Sequence, residues 1–178
     1  MSTTDMDIVA KAITALPLAT CYEFVAYPGG SVQAAAILAW PAKPGQALRD
    51  SAGRPALLHF APDRWLVPAP APILLQELFS LERAGRGILI DVEGKWQEVR
   101  IAPERAHQIL SRGIDVETVL AGRECAAVML FDCPAILARS DTAINLWVAA
   151  SYLQSFLAVS ASLPIRGPGC THERAGIS

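Results

Sequence analysis

The sequence predicts an α+β fold, a mostly antiparallel sheet with helices on one face, built as two related β-β-α lobes. Three observations predict it. Short apolar runs bounded by Pro, Gly and Asp recur along the chain, as they do in hairpin-rich sheets. Segments after Pro72, after Pro103 and over 150–162 carry apolar residues at helical spacing. The chain also echoes itself. A turn at Asp63, a short strand and a helix with "LQELF" are matched by a turn at Asp141, a strand and a helix with "LQSFL". Asp63 to Asp141 and Leu75 to Leu153 are both separated by 78 residues.

The elements follow in order. Residues 5–16 read as a short helix ended by Pro17, and "CYEFVAY" (21–27) as a strand closed by "PGG". Residues 31–39 read as a second strand, and the Pro/Gly-rich stretch after it as a connection. Ala56–Phe60 and Trp65–Val67 are strands joined by Ala61-Pro62-Asp63-Arg64. Proline presets φ in that turn, and aspartate bonds nearby amides. Pro72 opens a helix with Leu74, Leu75, Leu78 and Phe79 on its stripe, ended by Gly85 and Gly87. Ile88–Val92 and Trp96–Ile101 are strands around Glu93-Gly94. Pro103 and Glu104 open a second helix, with Ala106, Ile109 and Leu110 inward and Gly113 at its end. Cys125–Phe131, Ala135–Arg139 and Ile144–Val148 are strands, and 150–162 is the last helix. Residues 1–163 form one domain, with lobes at about 20–92 and 93–163, and 164–178 a flexible tail.

Composition limits function. Of 178 residues, 52% are hydrophobic and 18% charged, which leaves apolar surface for a partner. The net charge of −2, without like-charge blocks, gives no case for nucleic acid or an anionic membrane. The uncharged stretch 142–165 is long enough to span a bilayer, but its strand alternation followed by a polar-interrupted helix argues against spanning. Cys21, Cys125, Cys133 and Cys170 form no C-x-x-C pair, and no secretory signal is in view, so reduced thiols in the cytoplasm are expected. Cys125 and Cys133 are candidates to approach each other on a hairpin.

No phosphate-binding loop or nucleophile elbow is present. His59, His107 and His172 are far apart: His59 reads as a core histidine, His107 as a solvated one, and His172 lies in the tail. Asp91, Glu93 and Glu98 read as a strand end, a turn and a solvated face. No catalytic residue and no metal site is expected. If Val99/Ile101 and Ile144/Leu146/Val148 face the helices, Trp96 and Trp147 face the other way. There they either meet a second sheet of the same chain, the commoner arrangement, or anchor a partner.

Three segments carry a resemblance. "LLHFAPDRWLVPA" (57–69), "ILIDVEGKWQEVRIAPERAHQILSRGIDVE" (88–117) and the meander and helix of 120–163 resemble the gamma subunit of heterotetrameric sarcosine oxidases. The chain departs from that pattern where Ala61 and Ala102 replace turn glycines and Glu93 replaces a serine. The resemblance implies the folate-binding fold of aminomethyltransferases such as the glycine-cleavage T-protein. It also implies an accessory subunit with no catalytic group of its own and no bound cofactor. FAD, FMN, NAD and tetrahydrofolate would then belong to partner subunits, the folate to the alpha subunit. That complex oxidises sarcosine to glycine and passes the one-carbon unit to tetrahydrofolate. Two rival readings stand beside it. One is a small folate-binding aminomethyltransferase-like protein using Asp91 or Glu93 to hold a pterin. The other is a structural homodimer through Trp96 and Trp147.

Overall fold

The computed structural model describes residues 13–28, 40–140 and 143–162. They form ten strands and four α-helices: β1 (Ile13–Ala15), β2 (Cys21–Ala26), β3 (Ala47–Arg49), β4 (Pro55–Ala61), β5 (Arg64–Pro68), α1 (Pro72–Arg83), β6 (Gly87–Asp91), β7 (Trp96–Ile101), α2 (Pro103–Leu110), α3 (Val116–Val119), β8 (Cys125–Leu130), β9 (Cys133–Arg139), β10 (Ile144–Ala149) and α4 (Leu153–Ser162). A 3-10 turn, Ala150–Tyr152, leads into α4.

The strands build two antiparallel five-stranded sheets, ordered β1-β7-β10-β9-β8 and β3-β4-β5-β2-β6. Read from opposite ends, the two orders are one pattern: β7, β10, β9 and β8 repeat β2, β5, β4 and β3. This is the architecture behind the 78-residue echo, since β4 and β9 begin 78 residues apart, at Pro55 and Cys133. The edge strands are exchanged. β1 precedes β2 in the chain but pairs with β7, while β6 precedes β7 but pairs with β2.

Three apolar layers follow from strand alternation. Val99, Ile101, Leu137, Leu146 and Val148 pack beneath Ile109, Leu110 and Phe156 of α2 and α4. Phe24, Leu57, Trp65 and Val67 pack beneath Leu74, Leu78 and Leu81 of α1. Phe24, Trp40 and Trp65 meet there as an aromatic trio with centroids 5.6 to 6.0 Å apart. The remaining faces pack on each other: Cys21, Leu58, Leu66 and Val92 meet Cys125, Ile136, Ala138 and Trp147. The molecule is therefore a helix–sheet–sheet–helix sandwich, with helices on the outer face of each sheet.

Several expectations change. Of the helix expected over 5–16, only its end lies within the described residues, and 13–15 is strand β1, held by register to Ile101, Arg100 and Val99. The strand expected at 31–39 and the tail 164–178 lie outside the described residues. β3 lies inside the Pro/Gly-rich connection, and α3 was not foreseen. Gly87 belongs to β6 rather than to a helix cap: a Cβ there would lie 2.5 Å from the Val25 carbonyl oxygen. The β8–β9 turn is two residues, Phe131 and Asp132, with φ of 52° and 59°; left-handed backbone at both positions marks a type I′ hairpin. Cys125 and Cys133 therefore sit at opposite ends of that hairpin, in different layers. Among the described residues no helix is long and apolar enough to cross a membrane.

Candidate functional site

Strand alternation puts Cys21, Glu23 and Val25 of β2 on the face opposite Tyr22, Phe24 and Ala26, which places Glu23 in the layer between the sheets. A buried carboxylate needs partners. Glu23 is 1% exposed and has three. Arg64 Nη2 donates to Oε2 at 2.5 Å, while Lys95 Nζ at 2.5 Å and the Trp96 indole N–H at 2.9 Å donate to Oε1. Lys95 Nζ also lies 5.3 Å from the Trp96 ring centroid, and the Arg64 guanidinium 5.5 Å from that of Phe60. Burial pushes the Glu23 carboxyl up, but the bonds from Lys95, Trp96 and Arg64 outweigh it and hold the group below the usual range. The cluster ties β2 and β5 of one sheet to the start of β7 in the other.

Trp147 is 3% exposed and packs in the intersheet layer, so it offers no surface to a partner. The partner-anchor expectation is corrected for this residue: the sheet has no open face at β10, because the second sheet of the same chain covers it. Trp96 is half-buried and committed to Glu23. Both tryptophans line a small cleft with Cys21 and Glu98, whose 20 Å³ suits about one water molecule. Glu98 is not a fully solvated residue. Its Oε1 accepts from Asn145 Nδ2 at 2.7 Å and Arg100 Nε at 3.1 Å.

His59 is a core histidine, 2% exposed, stacked on Trp65 with centroids 4.2 Å apart, its Nδ1 3.0 Å from the Pro41 carbonyl oxygen. Burial lowers its pKa, only partly offset by that bond, so the ring is neutral. Its Nε2 has no hydrogen-bond partner among the described residues. His107 is exposed on α2, and His172 lies outside the described residues. His107 lines a groove of about 280 Å³ with Glu117, Arg139 and Ser140, in which Arg139 Nη2 donates to Glu117 Oε2 at 3.2 Å.

The three thiols among the described residues are poorly suited to nucleophilic work. Burial, with help from Glu23, pushes Cys21 up to about 12, and burial with Glu124 does the same to Cys125. Burial also raises Cys133. Asp91 and Glu93 are the carboxylates considered for a pterin. Both are exposed, Asp91 Oδ1 accepts from the Glu93 N–H at 2.9 Å as a turn carboxylate does, and neither lines the cleft or the groove. Among the described residues no group of His, Cys, Asp and Glu is placed to hold a metal ion. Sequence reasoning missed Glu23; the available signal was a lone acid within the otherwise apolar strand "CYEFVA".

No family model and no curated protein matches the chain. Solved structures do. A chain of the heterotetrameric sarcosine oxidase from Corynebacterium sp. U-96, solved with pyrrole 2-carboxylate, superposes with a TM-score of 0.69 at 20% identity, over 85% of this chain and 82% of that one. The fold is that of a sarcosine oxidase chain. The regulatory subunits of aspartate kinase from Thermus thermophilus and Thermus flavus give TM-scores of 0.44 and 0.39, at 13% and 14% identity. They cover 87% and 84% of this chain, and 97% and 94% of their own.

Proposed function

We propose that this chain is an accessory, non-catalytic subunit of a sarcosine oxidase-like flavoenzyme complex. The observation that carries the reading is the shared fold with a sarcosine oxidase chain over most of both lengths. The chemistry of the polar groups supports it. Glu23, Glu98 and His59 are engaged inside the fold, and the buried thiols are held protonated. In this reading the partner subunits, an alpha chain with the folate site among them, supply FAD, FMN, NAD and tetrahydrofolate, and the assembly converts sarcosine to glycine.

Affinity purification of the tagged chain from its native host tests the proposal. The expected eluate absorbs in the flavin bands and produces peroxide when sarcosine is added. A colourless eluate holding this chain alone would overturn it.

A further inference from the structure

The layer between the sheets does not cover the whole inner face of the β3-β4-β5-β2-β6 sheet. Direct cross-strand partners share a face, so the register defines its rows. One row runs Ile90, Glu23, Leu66, Leu58, and the next runs Ile88, Val25, Arg64, Ala61. Leu58 and Leu66 are fully buried against the other sheet, yet Ile88 and Ile90, on the same face, are 41% and 39% exposed. The uncovered corner is thus aliphatic and continues the interior layer. Two cations border it. Both oxygens of Glu23 are taken, whereas Arg64 and Lys95 share that single carboxylate with 44% and 48% of their side chains exposed. The edge of β6 is closed to strand pairing at its centre, because the outward Leu89 N–H donates to Glu82 Oε1 at 3.0 Å. An approaching partner meets the face rather than the edge.

We infer that this corner, Ile88, Ile90 and Val25 rimmed by Arg64 and Lys95, is the docking surface for the flavoprotein partner, which presents aliphatic side chains beside a carboxylate. The inference rests on the subunit reading above. Charge disfavours a second copy of this chain, since a two-fold contact presents the same corner, where the carboxylate that binds Arg64 and Lys95 is already buried and engaged. A partner carboxylate complements the surplus positive charge and leaves the apolar strip dry.

The test measures binding of purified chain to the sarcosine oxidase-like flavoprotein subunits of the same organism. Wild type is compared with Ile88→Asp/Ile90→Asp and with Ile73→Asp, which alters an isoleucine 70% exposed on α1. Melting curves check that each variant is folded, and amide exchange over 86–95 in the wild-type complex maps contact without any variant. The double variant is expected to bind at least tenfold more weakly, Ile73→Asp like wild type, and 86–95 to be protected. Equal binding by all three, or no protection of that segment, overturns the docking surface and leaves the subunit reading intact. Failure of wild type to bind overturns both. A homodimer that the double variant dissociates overturns the choice of occupant.

Discussion

Glu23 binds two cations and an indole through one carboxylate, so Glu23→Gln removes the charge that pairs them and sets an amide NH2 against the donor on one side. Glu23→Gln is expected to cost about 2 kcal/mol, the scale of unpairing a buried polar group. The pH dependence has a fixed sign. The folded carboxyl lies below its ordinary value, so its contribution is complete above that value and is lost as the pH falls through the folded one. Urea titrations at several pH values should show the loss in wild type and a flatter acid limb in the variant. His59 acts in a different window. Its folded pKa is lowered, so the unfolded chain binds the proton first as the pH falls below about 6.5. Stability present above that pH is lost progressively beneath it. His59→Phe keeps a ring against Trp65 and removes the titration, so stability should become level between about pH 7 and 5.5. An unchanged slope in the variant would assign the effect to another group.

At the scale of elements, close approach of backbones sets what the sequence tolerates. β6 lies against β2 with Gly87 opposite Ala26, where a Cβ would meet the Val25 oxygen at 2.5 Å and the Phe24 ring at 2.6 Å. Gly87→Ala should therefore destabilise by about 1–3 kcal/mol through overpacking, visible as a lower denaturation midpoint with unchanged slope. The β8–β9 hairpin shows the opposite economy. A phenylalanine occupies a left-handed turn position because its ring reaches Phe156, 6.2 Å away between centroids. The sequence predicts the two strands of this hairpin but sets the turn between Phe131 and Ala135, beyond its true place at Phe131-Asp132: neither turn residue is Gly or Asn, and packing against α4 overrides local preference. Trp96–Ile101 and the helix opened by Pro72 were legible because period and end signals agreed. β3, three residues long with an irregular register, has too little pattern to read.

For the whole molecule, the exchanged edge strands make the two lobes mutually dependent. β1 leads into the first lobe yet closes the sheet of the second. A chain beginning at Leu18 loses one of the two partners of β7 and the buried Ile13, and its melting temperature should fall in one transition seen alike by tryptophan fluorescence and circular dichroism. Two transitions, with only one of them shifted, would show lobes that unfold separately. The sequence by itself determined the elements with strong periodicity, the lobe repeat through its 78-residue offset, and the turn at Pro62-Asp63. It determined these because each is written in neighbouring residues or in a comparison of two segments. Tertiary structure alone decided that a second sheet covers Trp147, that β1 and β6 trade places, and that Glu23 meets Arg64, Lys95 and Trp96 from 41, 72 and 73 residues away. Alternation fixes which side of a strand a residue occupies, but only long-range pairing of sheet edges and faces fixes what lies on that side.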